Sequence, residues 1–173
     1  ILFFPNPLDN VHAIDARTGD FIWAYRRQLP DDLANFFPTP TTNRNLATYE
    51  NLIIDTSADN FAYALDAQTG RLVWETKILD YQKGAQHTSG PIVANGKVII
   101  QNGAGDGGTR GWVAALDVKT GDELWRWYSV PQPGEPGSET WKDDHNAWKT
   151  GGGGIWQTGS YDPTTNLYIV GTG

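Results

Sequence analysis

Ala64-Leu65-Asp66-Ala67-Gln68-Thr69-Gly70-Arg71-Leu72-Val73-Trp74 has two close copies in the chain. They are Ala13 through Trp23 (AIDARTGDFIW) and Ala115 through Trp125 (ALDVKTGDELW), and the first residues stand 51 positions apart both times. A fixed period of this size marks a stacked or radial repeat architecture. Tyr63, Leu65 and the matching positions alternate with small or polar residues, the two-residue period of a strand. Asp-x-x-Thr-Gly then predicts a tight turn, in which the Asp and Thr side chains bond nearby backbone N–H groups and Gly takes positive φ. Leu72, Trp74 and their equivalents begin the return strand, with the Trp expected two residues past a buried aliphatic. The unit is an antiparallel hairpin.

A second hairpin precedes each template. Gly90-Pro91-Ile92-Val93-Ala94 meets Lys97-Val98-Ile99-Ile100 across Asn95-Gly96, the strongest short hairpin signal. Leu46 to Tyr49 and Leu52 to Ile54 repeat the pattern across Glu50-Asn51. Two hairpins per period give a four-stranded blade, and such blades arranged radially make an all-β β-propeller. Residues 1–173 are expected to form one partial propeller domain of about three blades, with the start of a further blade at 156–173. Trp23, Trp74 and Trp125 recur at fixed spacing and are assigned to packing between blades. Trp112, Trp127, Trp141, Trp148 and Trp156 fall outside the template.

Composition narrows the function classes. The chain has 173 residues, 39% of them hydrophobic, about one domain at roughly 100–200 residues each. Its 21 aromatic residues argue against disorder. No apolar run approaches the roughly 18 residues of a membrane span. The charge sum, 13 minus 20 or −7, with no basic tract, argues against a nucleic-acid surface. Zero Cys excludes disulfides, Cys-zinc sites and thiol catalysis. Zero Met, with apolar strand-like ends, points to a fragment of a larger protein.

Repeats explain a scaffold, so function is expected where the pattern breaks. Four segments break it: Asp31 to Leu46, Lys83 to Gly90, Asn102 to Gly111 (NGAGDGGTRG), and Pro131 to Trp156, which ends Lys149-Thr150-Gly151-Gly152-Gly153-Gly154-Ile155-Trp156. Singly, each has a bland reading: Asp106 as a solvated turn, Arg44 as a surface charge, the glycine run as a linker. A linker is seldom followed directly by Trp and a strand, so the glycines are read as letting backbone approach something flat over the indole. No pair among His12, His87 and His145 has metal-ligand spacing, and there is no G-x-S-x-G, no P-loop and no G-x-G-x-x-G opening a helix.

The W-motif repeats, together with Thr42-Asn43-Arg44-Asn45-Leu46-Ala47, His87-Thr88-Ser89-Gly90-Pro91, Gly105 through Gly111, Trp148 through Trp156 and Ile169-Val170-Gly171-Thr172-Gly173, resemble the quinoprotein alcohol dehydrogenases. These are the pyrroloquinoline quinone (PQQ)-dependent enzymes of the methanol and ethanol dehydrogenase type. The resemblance implies an eight-bladed propeller with PQQ and calcium or a lanthanide on its axis. It also implies a periplasmic oxidoreductase: an alcohol becomes an aldehyde or ketone by hydride transfer to the quinone C5, and electrons leave to a cytochrome c or similar acceptor. Arg44, Thr88, Gly105, Gly154 and Trp156 would be the cofactor-binding residues. Arg44 would fork onto a PQQ carboxylate, Thr88 would donate to a PQQ oxygen, and Trp156 would floor the ring system. Asp106 stands where the family has a metal-binding Glu. Its arm is shorter by about 1.5 Å, which the surrounding glycines are expected to offset by loop movement. Pro38-Thr39 stand where the family has adjacent cysteines, and Gly154 where it often has Thr. No catalytic residue is expected within this chain: the family's Asp base falls after Gly173, and the remaining blades are implied partners. Two other readings stay open, a non-enzymatic W-repeat propeller of the outer-membrane assembly type and a quinoprotein homologue that has lost its cofactor.

Overall fold

The computed structural model describes residues 1–36, 43–142 and 145–173. The first sheet contains β1 (Leu2–Asn6), β2 (Asn10–Ile14) and β3 (Phe21–Arg26) in that order. The second contains β4 (Ala47–Tyr49), β5 (Leu52–Thr56), β6 (Phe61–Asp66) and β7 (Leu72–Lys77). The third contains β8 (Ile92–Ala94), β9 (Lys97–Gln101), β10 (Trp112–Asp117) and β11 (Glu123–Tyr128). A last hairpin pairs β12 (Ser160–Asp162) with β13 (Leu167–Ile169). All pairings are antiparallel and join strands adjacent in sequence. These are the up-and-down blades of a β-propeller.

The repeat turn is built as its residues require. The Asp66 carboxylate accepts from the N–H groups of Gln68 and Thr69 and from the Thr69 hydroxyl, and Gly70 closes the turn onto the Asp66 carbonyl at φ +71°. The short hairpins use left-handed backbone at Asn95, Gly96 and Glu50, the geometry that matches strand twist in tight connections.

The position two residues before each Trp is not buried. Leu72 and Phe21 are exposed, as is Glu123 at the third copy. A bulge explains it: Ala64 faces Trp74 but Leu65 faces Leu72, so Val73 is the extra residue and the alternation shifts. The same slip occurs between Ala13 and Ile14 and between Ala115 and Leu116.

Blades are joined by Trp on turn. The Trp23 indole N–H donates to the Ala67 carbonyl and Trp74 to that of Val118, both at 3.1 Å. A Cβ on Gly70 would stand 2.6 Å from Trp23, and one on Gly121 would stand 2.5 Å from Trp74. The turn glycine is therefore required twice, for its positive φ and for the ring beneath it. Trp23 and Trp74 are 7% and 8% exposed, whereas Trp125, with no such turn upon it among the described residues, is 44% exposed. In residues 1–173 alone, Trp74→Ala should accordingly cost about 3–5 kcal/mol, and Trp125→Ala well under half of that. Urea denaturation of the two variants decides; equal losses would contradict the inter-blade role.

Candidate cofactor seat

Three of the pattern-breaking segments converge at one end of the sheets, and one buried side chain organises them. Asn102 follows β9 and is fully buried. Its Oδ1 accepts from the backbone N–H of Gln86 and of Ala104, and its Nδ2 donates to Thr109 Oγ1 and the Arg110 carbonyl. Its own carbonyl accepts from Ile155 N. All four hydrogen bonds of the amide are made, which is how a buried Asn avoids its desolvation cost. Sequence reasoning missed Asn102; the available signal was a polar residue between the apolar run of β9 and Gly103.

The glycine-rich segments pack on each other. A Cβ on Gly105 would stand 2.7 Å from Gly154 N, one on Gly151 2.4 Å from the Gly105 carbonyl, and one on Gly111 1.8 Å from the Gly153 carbonyl. Gly152 N donates to Gly105 O, Gly111 N donates to Gly152 O, and the Ser129 hydroxyl reaches the Gly153 carbonyl at 2.6 Å. Gly151 and Gly154 thus meet the backbone of Gly105, while Gly152 and Gly153 lie against the side chains of Val130 and Ser129. Close loop-on-loop packing is thus one role of Gly105, Gly151 and Gly154, whereas Gly107 and Gly108 beside Asp106 have only ordinary contacts.

Gly103 sits between Thr88 and Trp156. A Cβ there would stand 3.0 Å from the Trp156 Cα and Cβ and 3.2 Å from Thr88 Oγ1. Ile155 is buried under the third sheet, which fixes the backbone that carries Trp156, yet the indole itself is 49% exposed. Gly173 donates its N–H to the Gly154 carbonyl and lies beside Trp156 Nε1. Arg44 Nη1 donates to the Thr88 carbonyl at 3.3 Å. Arg44 is exposed and has no carboxylate partner among the described residues, in a chain of net charge −7. The structure therefore brings Arg44, Thr88, Gly103, Gly105, Gly154 and Trp156 into one neighbourhood. Pro38-Thr39 lie outside the described residues.

Asp106 occupies a 3₁₀ turn, Gly105–Gly107, and its side chain is exposed. No group of three or more His, Asp or Glu side chains able to hold a metal exists among the described residues. A hard cation takes about 6–8 oxygen ligands, so Asp106 would supply one carboxylate of a larger set. His87, beside Thr88, is buried; burial lowers its pKa to about 4, so the ring is neutral, with Nδ1 3.0 Å from the Gln101 carbonyl.

Behind Arg44 lies a second polar cluster. Asp9 and Asp55 are buried, and burial pushes their carboxyls up to about 6 and about 7. Each therefore binds more protons folded than unfolded from about pH 4 upward, and the stability it contributes is present in acid and lost as pH rises through the folded pKa. The neutral His87 acts oppositely, so the comparison must isolate one group. Asp55→Asn should gain stability relative to the parent as pH rises from 4.5 to 8, measured by urea denaturation. A gain that shrinks over that range would contradict an unfavourable buried charge.

The exposed indole, the hydroxyl and a guanidinium without a carboxylate partner among the described residues offer a flat apolar face bordered by donors, which suits a planar polyanion. Comparison with known proteins gives the family of the chain. The family described as PQQ, glucose/ethanol/alcohol dehydrogenase, β-propeller domain, matches residues 1–173.

The chain belongs to this PQQ dehydrogenase β-propeller family.

It is 37% identical to the quinohemoprotein alcohol dehydrogenase of Comamonas testosteroni over 94% of the chain and 25% of that protein. It superposes on the structure of quinohemoprotein alcohol dehydrogenase ADHIIG from Pseudomonas putida HK5 with a TM-score of 0.89 and 35% identity, covering 99% of the chain and 26% of the other. A europium-containing methanol dehydrogenase gives 0.86 and 31%, covering 98% and 33%. The PQQ-family chain thus spans about a quarter to a third of the length of these relatives. Among its described residues no helix is long and apolar enough to cross a membrane.

Proposed function

We propose that the chain is part of a periplasmic PQQ- and metal-dependent dehydrogenase that oxidises an alcohol to the aldehyde or ketone and passes electrons to a cytochrome c or similar acceptor. The observation that carries this reading is the exposed Trp156 indole beside Thr88 and an Arg44 without a carboxylate partner among the described residues. PQQ, when bound, supplies a quinone that accepts the substrate's hydride.

The chain's own residues bind and orient. The Arg44 guanidinium offers parallel N–H donors to a carboxylate. The Thr88 hydroxyl donates to a ring or carboxylate oxygen. The Trp156 face excludes water from one side of the ring and adds about 0.5–1.5 kcal/mol beyond burial. Gly105 and Gly154 hold the two loops together beneath it, and Asp106 would supply one oxygen ligand to calcium or a lanthanide. The general base belongs to the remaining blades, whose first contact would cover Trp125 and the exposed apolar residues of β13, Leu167 and Ile169.

The test is a titration of the full-length protein with PQQ in the presence of calcium or a lanthanide, followed by dye-linked alcohol oxidation. Saturable binding with metal-dependent turnover is expected. Absence of PQQ binding under every metal condition would leave a propeller that has lost its cofactor.

A further inference from the structure

Asp55 and Asn43 belong to no ligand set discussed above. Asp55, on β5, is 1% exposed and accepts three hydrogen bonds: Asn43 Nδ2 at 2.8 Å, Tyr63 Oη at 3.1 Å and Thr56 N at 2.8 Å. All three are donors, an arrangement that suits an ionised carboxylate. Asp9, on the β1–β2 turn, accepts from Ala58 N at 2.8 Å, and the Asn43 side chain bonds it as well. Asp59 is taken up by Arg27 at 2.8 Å, and Arg27 also pairs with Glu75 at 2.9 Å. No guanidinium or ammonium therefore pairs with Asp55 or Asp9 among the described residues, and the amide of Asn43 is shared between them. An ionised Asp55 works against the stability of the fold above neutral pH, so its place calls for another account.

Asn43 is the residue before Arg44 and lies in the irregular segment that leads to β4. Beyond it the segment is held by contact: a Cβ on Gly90 would stand 2.2 Å from Asn45 Cβ. Arg44 is thus held from both sides, by an amide tied to a buried carboxylate and by Asn45 wedged on Gly90. Among the described residues its exposed guanidinium makes one bond, to the Thr88 carbonyl.

We propose that Asp55 is a positioning residue, which through the Asn43 amide fixes the backbone that aims Arg44 at an anionic cofactor group. This rests on the assignment of Arg44 to PQQ. Pre-setting the arm in its bound geometry removes an ordering cost from binding.

The test is a double-mutant cycle on PQQ binding by the full-length protein, read by fluorescence quenching. Asn43→Ala and Asp55→Ala should each weaken binding about tenfold, the worth of one ordinary hydrogen bond. In an Arg44→Ala background the same changes should weaken it less than about twofold. Equal weakening in both backgrounds would mean a general structural loss and overturns the proposal, as would no weakening by Asn43→Ala, a half-buried loop change that leaves the sheets intact. Amide exchange in cofactor-free protein separates the two claims. Both variants should speed exchange at Arg44 and Asn45; unchanged exchange overturns the anchor. If Arg44→Ala alone leaves PQQ binding intact while exchange does respond, the cofactor role of Arg44 fails and the anchor stands.

Discussion

Arg44→Ala in the full-length protein is expected to weaken PQQ binding about 10- to 100-fold, with no loss of folding. The magnitude follows from hydrogen bonds to charged groups, about 1.5–3 kcal/mol each, at about 1.4 kcal/mol per decade of affinity. Folding should be spared because the side chain is exposed and its one bond within the described residues, to the Thr88 carbonyl, is long at 3.3 Å. Arg44→Lys should recover only part of the loss, since an ammonium keeps the charge but not the two parallel donors. Equilibrium titration at fixed salt measures this. Unchanged affinity in Arg44→Ala would remove the guanidinium from the site.

Gly111→Ala should be the most damaging small substitution in the chain. The added Cβ would stand 1.8 Å from the Gly153 carbonyl oxygen and 2.5 Å from Ser129 Oγ, so the two loops must part. Parting them breaks the bond from Gly111 N to Gly152 O and disturbs those that Ser129 makes to the Gly111 carbonyl. Overpacking alone costs about 1–3 kcal/mol, and the lost hydrogen bonds bring the total to about 3 kcal/mol or more. That corresponds to a fall of roughly 10 °C in Tm for a domain of this size. Gly171→Ala is the control, since nothing lies within 4 Å of its added Cβ and its φ is not positive. Thermal melts of both variants suffice; a Gly111→Ala melt matching the control would show that the loops are not interlocked.

The blades were legible because their signals are local. The period, the Asp-x-x-Thr-Gly turn and Asn95-Gly96 each act within a few residues, and each appears where expected. The orientation of Leu72 was not legible, because one bulge residue reverses the alternation and nothing in the sequence marks Val73 as extra. Within the site, the packing of Gly105 against Gly151 and Gly154 was not legible, because the partners come from segments far apart in sequence. Asn102 and Asp55 were missed for the same reason. Each takes its meaning from donors brought by separate segments, and a lone Asn or Asp beside a strand carries no mark of that. Arg44, Thr88 and Trp156 were singled out through family resemblance, and their proximity is a property of the fold rather than of their spacing.

The central claim is that one cofactor lies between these three side chains. A crystal structure of the full-length protein with PQQ tests it most directly. The claim predicts the quinone ring stacked on the Trp156 indole, a carboxylate within hydrogen-bonding distance of the Arg44 guanidinium and an oxygen at the Thr88 hydroxyl. PQQ bound elsewhere, with the Trp156 face open to solvent, would contradict it.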